Sequence, residues 1–398
     1  MRKVRATAEA NCADSLTARA LLQASAVMML DLVVVHSPVG GGHKSAALAI
    51  AEAARRRGLT VEVVDTFEHA PRVFGKAYVT AHLTWTGALP ELYGAAYFRA
   101  NHRDGALEPV RRAADHVAWA GLVKRVVALA PRAVIATHHL PLVVLGRARR
   151  KGWLACPLVG VVTDYGTHAV WAEKGLDALC VPVEGAHRDA LAHRFPARLL
   201  HTTGIPVRLA FEAAPPVRDP ARGETLRVLV TSGGFGVGPI RDIVRSFAGI
   251  SGVELTVVCG RAPGLEKRVT RLAAEAGVSA RVLGFEKDMA ARMAEAHVIV
   301  GKAGGLTVSE AMTSGRPMII AGAVPGNEGI NANLVARADA GHIADPADVG
   351  MVVHAMRVHR LFGTMGANAR ALVTTHAADR VIDVAEATVR RREAIEAA

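Results

Sequence analysis

Short apolar runs of four to six residues recur along the chain, each followed by a turn marked by Gly or Pro and then by a segment with helical spacing of its apolar positions. The runs are continuous rather than alternating, the pattern of strands covered by helices on both faces of a parallel sheet. They predict strands at residues 32–35, 61–64, 133–136, 158–162 and 178–181, and again at 227–230, 254–258, 280–283, 297–300 and 318–321. The same rhythm runs twice, so the expected fold class is α/β with two Rossmann-like, doubly wound domains in tandem. Between the two runs, residues 209–224 hold Pro215, Pro216 and Pro220 and show no apolar periodicity, which predicts a linker. The expected organisation is a tail at 1–28, a first domain at 29–208, the linker at 209–224, a second domain at 225–378 and a closing helix at 379–398.

Composition agrees with two ordinary cores. At 398 residues the chain exceeds what one hydrophobic core organises, and 51% hydrophobic with 21% charged residues is a folded composition. The net charge of +12 makes anionic partners plausible, but aromatic residues are only 4% and no run interleaves Arg or Lys with stacking rings, which argues against nucleic acid. Cys12, Cys156, Cys180 and Cys259 are isolated, with no metal-ligand spacing, and suit a reducing cytoplasm. No apolar stretch approaches the roughly 20 residues of a spanning helix. In the tail, Glu9, Asp14 and Arg19 interrupt any signal-peptide core, so it reads as dispensable, with Met28 or Met29 as alternative initiators. The cluster Arg390, Arg391 and Arg392 reads as a solvated face. Residues 74–103 hold most of the aromatics amid Lys76, Arg99 and Arg103, and read equally as a membrane contact or as ordinary core.

The first strand runs into His36-Ser37-Pro38-Val39-Gly40-Gly41-Gly42-His43-Lys44-Ser45 and then an Ala-rich helix. Bare glycines at a helix start let a substrate approach free N–H donors. A nucleotide P-loop is excluded, because its glycine positions are held here by His43 and Pro38. His43, at the mouth of the expected crevice, reads either as a general base or as a structural histidine of the turn.

The second half repeats the device. Ser232-Gly233-Gly234-Phe235-Gly236 follows a strand and leads to Pro239 where a dinucleotide fingerprint needs glycine, so the loop reads as a diphosphate wrap and not an NAD site. Gly304-Gly305-Leu306-Thr307 opens another helix, with Glu310 expected in its first turn, either accepting ribose hydroxyls or stabilising the helix start. Asn327 and Glu328 follow the next strand, where planar polar groups suit a sugar and a plain helix cap is the alternative. Asp164 and His168 stand four apart, too few for a metal site and better read as a hydrogen-bond network in the cleft.

Five ordered motifs carry a resemblance: V-G-G-G-H-K-S-A-A at 39–47, V-T-D-Y at 162–165, T-G-I-P-V-R at 203–208, S-G-G-F-G-V-G-P at 232–239 and G-G-L-T-V-S-E-A at 304–311. They resemble the monogalactosyldiacylglycerol synthase and processive diacylglycerol glucosyltransferase group, which shares donor-site features with MurG. The resemblance implies a GT-B fold, two domains facing across a cleft, and inverting transfer of a hexose from UDP-glucose or UDP-galactose to diacylglycerol, with no cofactor and no catalytic metal. It implies a peripheral location on the inner face of the cell membrane. By position it makes His43 the base on an acceptor side with Gly41, Gly42, Asp164 and His168. It gives Arg208 and residues 232–236 to the diphosphate, Arg261 and Phe285 to the nucleoside, and Glu310 to the ribose. The chain departs from the group at Ala303, where Pro is common, and at Asn327, where Gln is common, so the amide facing the sugar is about one methylene shorter. A polyprenyl-acceptor transferase, an epimerase on the same scaffold and a non-catalytic anion or nucleic-acid binder are the rivals. Oligomeric state is not legible.

Overall fold

The computed structural model describes residues 30–38, 41–71, 118–234, 236, 238–322 and 326–398. The expectations for the tail, for the aromatic stretch 74–103 and for Phe235 lie outside the described residues.

Two six-stranded, all-parallel sheets are present. The first joins β1 (Leu32–His36), β2 (Val61–Asp65), β3 (Ala133–Ala136), β4 (Leu158–Val161), β5 (Ala178–Val181) and β6 (Leu200–Thr202) in the order β2-β1-β3-β4-β5-β6. The second joins β7 (Leu226–Thr231), β8 (Val253–Val258), β9 (Ala280–Leu283), β10 (Val298–Gly301), β11 (Met318–Ile320) and β12 (Gly341–Ile343) in the order β12-β11-β10-β7-β8-β9. The central strands β1, β3, β4 and β5 are buried at every position, which is why their sequences are continuous apolar runs. β6 and β12 were not foreseen. Each is three residues long with one buried position, and each is held by pairing to a single neighbour at a sheet edge.

The helices are α1 (Gly41–Arg56), α2 (Ala120–Ala128), α3 (His139–Arg150), α4 (Glu184–Ala192), α5 (Ile240–Arg245), α6 (Leu265–Glu275), α7 (Met289–Glu295), α8 (Gly305–Thr313), α9 (Asn327–Arg337), α10 (Val349–Val358), α11 (Phe362–Leu372) and α12 (Ala377–Glu396). The closing helix α12 starts at Ala377, two residues before the expected 379, after His376 takes a left-handed turn at φ 55°. It does not stay with the second domain. Ala378, Val381, Ile382, Ala385 and Val389 bury against Leu32, Val34, Ala133, Ile135 and Val159 of the first sheet and Ile50 of α1. Exposed ion pairs from Arg56 to Asp379 and from Arg57 to Asp383 and Glu386 border this contact, but such pairs contribute little beside the apolar burial. The prolines of 209–224 do not leave a free tether either. Phe211 is fully buried in the second-domain core beside Met293 and Ile299, and the Pro215 carbonyl accepts a hydrogen bond from Arg316.

Candidate active site

In a doubly wound sheet the ligand crevice opens at the carboxyl ends of the two strands where the winding reverses. Those pairs are β1 and β3 in the first sheet and β7 and β10 in the second. At the first, the chain leaves β1 through Ser37 and Pro38 and enters α1, whose third residue is His43. His43 Nδ1 lies 2.9 Å from the carbonyl of Thr137, the residue after β3, and 2.8 Å from the hydroxyl of Thr163, just beyond β4. The Thr137 hydroxyl donates in return to the His43 carbonyl at 2.9 Å. A carbonyl only accepts, so Nδ1 carries the proton and Nε2 keeps its lone pair. Burial pushes the imidazole down to about 4, the nearby His36 adds to this, and the bond to Thr137 opposes it. His43 is therefore a neutral imidazole at physiological pH. His138 stacks edge-on against it at 4.4 Å.

A Cβ on Gly41 would meet open space, and one on Gly42 would meet Leu306 of the second domain at 3.4 Å. The histidine turn thus abuts α8 across the domain boundary. Leu306, expected among the donor contacts, has a side chain that is 6% exposed and packs beneath Gly42.

The Gly-rich loop after β7 is stacked on the turn after β8. Gly236 has φ +70°, and a Cβ there would approach Cys259 O to 2.6 Å; a Cβ on Gly260 would approach Gly233 O to 2.5 Å. Arg261 N donates to Gly234 O at 3.0 Å. The Ser232 hydroxyl is spent on the Val258 carbonyl at 3.1 Å, so this side chain holds the loop in shape. Gly233 and Gly234 have open space where side chains would stand; the Gly233 N–H donates to the Thr231 hydroxyl at 3.3 Å, which leaves the Gly234 N–H for an anion. Beyond them the Arg261 guanidinium lies 3.5 Å above the ring of Phe285, which is 47% exposed, making a flat cationic platform.

Helix α8 starts at Gly305 with Gly304 as its cap, so Glu310 is its sixth residue. This corrects the expected first-turn placement: the glycine pair itself opens the helix, and Glu310 falls in the second turn, too far along to act as a helix-start charge. Burial pushes its carboxyl up to about 7, and Arg208 pulls the other way. Arg208 also donates to the Lys287 carbonyl at 3.4 Å and lies over Phe211. Thr307 is half-buried in the first turn. Lys302, just past β10, reaches Glu328 at 3.4 Å.

Asp164 and His168 serve different local contacts. His168 Nδ1 accepts from Val170 N at 3.2 Å and caps the turn at Ala169–Trp171. Asp164 instead crosses to the second domain, accepting from Asn327 Nδ2 at 2.8 Å, from Asn331 Nδ2 at 3.1 Å and from the Gly305 N–H. Burial pushes its carboxyl above the usual range while these three bonds draw it down. The Asn327 amide, expected to face a sugar, donates from its nitrogen to Asp164. Among the described residues no group of three or more His, Cys, Asp or Glu could hold a metal ion.

Thr137, Thr163 and Asn331 were missed by sequence reasoning. The two threonines carried a usable signal, since each follows a predicted strand at its carboxyl end, where parallel sheets place their functional side chains.

Residues 43–207 match the family described as monogalactosyldiacylglycerol (MGDG) synthase, and residues 227–350 match the glycosyltransferase family 28 C-terminal domain. The chain is a glycosyltransferase of family 28. This enzyme is similar to an uncharacterized glycosyltransferase, YkoN, of Bacillus subtilis (strain 168), 26% identical across 75% of this chain and 79% of that protein. It is 25% identical to a processive diacylglycerol beta-glucosyltransferase of Bacillus cytotoxicus across 76% of this chain and 78% of that protein. In three dimensions the glycosyltransferase matches Acinetobacter baumannii MurG with a TM-score of 0.60 at 19% identity, over 89% of this chain and 99% of that one. Its fold is GT-B.

Proposed function

We propose that the glycosyltransferase moves glucose or galactose from the UDP-sugar to the hydroxyl of diacylglycerol, with inversion and without a catalytic metal, at the inner face of the cell membrane. One observation carries the reading: a neutral histidine with a free Nε2 lone pair stands at the junction of the two switch-point crevices, against the helix that bears Glu310. The acceptor hydroxyl gives its proton to Nε2 as its oxygen bonds to the anomeric carbon, and the bond from that carbon to the diphosphate breaks. Charge growing on the diphosphate is met by the main chain at Gly234 and by Arg208, since donors fixed in advance are worth about 3 to 4 kcal/mol each at a developing oxyanion. The Arg261–Phe285 platform suits a uracil ring, and Glu310 suits ribose hydroxyls. Glu328, held by Lys302, is the remaining carboxylate for the hexose. The excess of basic residues favours an anionic lipid surface, at about 1 kcal/mol per Lys or Arg close to it, and among the described residues no helix is long and apolar enough to cross a membrane.

Labelled UDP-glucose and UDP-galactose, each incubated with diacylglycerol vesicles and with polyprenyl phosphate, test this. Glycolipid from diacylglycerol, undiminished by EDTA, is the expected result. Product only on the polyprenyl acceptor, or no product with either donor, would overturn the assignment. The pH dependence of UDP binding tests Glu310 separately. Its carboxyl titrates at about 7 in the free protein, so UDP affinity should rise as pH passes upward through 7, and Glu310→Gln should flatten the rise, as read by titration calorimetry. The sign for folding is opposite. A raised carboxyl favours the protonated folded state, a stabilisation complete below 4.5 and lost as pH rises through about 7.

A further inference from the structure

The segment after β4 makes contacts that none of the assigned roles uses. Thr163 bonds His43 in its own domain. Asp164 gathers Gly305, Asn327 and Asn331 of the other domain. Tyr165 N donates to Asn331 Oδ1 at 2.8 Å, and its hydroxyl bonds Ser309, the neighbour of Glu310, at 3.0 Å. Thr163, Tyr165, Ser309 and Asn331 are all buried, so these bonds are made out of water, where leaving them unmade is costly. The close approach depends on two glycines, one on each side. A Cβ on Gly305 would come within 2.0 Å of the Thr163 carbonyl, and one on Gly166 within 2.8 Å of Ile330. Three consecutive residues therefore touch the base, the starts of both α8 and α9, and the residue beside the ribose carboxylate.

Resting on the transfer reading above, we propose that Thr163, Asp164 and Tyr165 form the joint that sets His43 in register with the donor pocket, and that Asp164 is its principal positioning residue. Its bond also fixes the amide of Asn327 with the nitrogen turned to Asp164. The catalytic histidine and the donor-binding helices sit on separate domains, so their distance is set by whatever closes the interface. An error of about 1 Å in such a distance can cost about 100-fold in rate.

The test uses the full chain with Asp164→Ala, Asn327→Asp and the exchange pair Asp164→Asn with Asn327→Asp, which keeps one donor and one acceptor across the joint with their roles reversed. Hydrogen exchange at residues 305–310 and 326–331, UDP affinity by calorimetry, and kcat with KM for the donor are read together. Asp164→Ala should speed exchange in both stretches by about tenfold or more, lower kcat by about 100-fold, and leave UDP affinity within about threefold. Asn327→Asp sets two carboxylates face to face and should open the joint as well, while the exchange pair restores slow exchange. Unchanged exchange in Asp164→Ala overturns the proposal. So does a loss of UDP affinity that parallels the loss of rate, which would make Asp164 a donor ligand. Should the wild type form no glycolipid, the transfer reading fails, yet the exchange comparison still decides whether the joint exists.

Discussion

His43→Ala should lower kcat by about 10²- to 10⁴-fold, the range for loss of a general base, with donor KM nearly unchanged. The side chain belongs to the first domain and the Arg261–Phe285 platform to the second, so its removal touches proton transfer more than donor binding. Alanine also strips the Thr137 carbonyl of its partner, at a cost of about 1 to 3 kcal/mol, so a lower melting temperature accompanies the loss. His43→Asn separates the effects: its amide nitrogen can replace Nδ1 at Thr137 while nothing replaces Nε2. Asparagine should restore the melting temperature and not the rate. Because the imidazole titrates at about 4, its protonation should put no acidic limb on kcat/KM between pH 5 and 7. A limb in that range that vanishes in His43→Asn would show instead that the base titrates normally. For folding, a lowered histidine favours the neutral folded state, a stabilisation complete above 6.5 and lost as pH falls through about 4.

Arg316→Met should destabilise the second domain by about 1 to 3 kcal/mol, the cost of leaving buried carbonyl acceptors unpaired. Arg316 is 2% exposed and its guanidinium donates to five carbonyls from three stretches of chain: Met293 at 3.1 Å and Ala294 at 2.7 Å, Ser314 at 2.8 Å and Gly315 at 3.5 Å, and Pro215 at 2.8 Å. Burial draws it down to about 10, so it stays charged at any working pH. Methionine fills the volume but leaves these acceptors unpaired. Lysine, with one ammonium in place of a planar fork, should recover only part of the loss. Urea unfolding followed by circular dichroism measures both variants, and a methionine variant within about 1 kcal/mol of wild type would mean that water replaces the guanidinium.

The architecture was legible where burial is two-sided. Leu32 to Val35 and Ala133 to Ala136 are unbroken apolar runs because no position faces water. Edge strands lack that property. Leu200-His201-Thr202 and Gly341-His342-Ile343 become strands through pairing to β5 and β11, a cause that lies elsewhere in the chain. The site divides in the same way. His43 and Glu310 drew attention through local Gly-rich signatures, whereas Arg261 and Phe285 were named only through the family resemblance. The pairings were not legible: Thr137 lies 94 residues from His43, and Asp164 lies 163 from Asn327, so only the fold brings them together. Even the local signature misplaced Glu310 by a turn, since it marks a helix start without fixing which glycine is the cap.

The return of α12 to the first sheet means that the chain passes between the domains twice, once through the segment around Phe211 and once before Ala377. A body tied to another at one point can swivel in any direction, whereas two ties leave rotation about the line joining them as the easiest motion. Opening and shutting of the cleft is thereby reduced to something like a single angle. Deleting the last twenty or so residues would strip a layer from the first sheet and also free the second domain to wander off that axis.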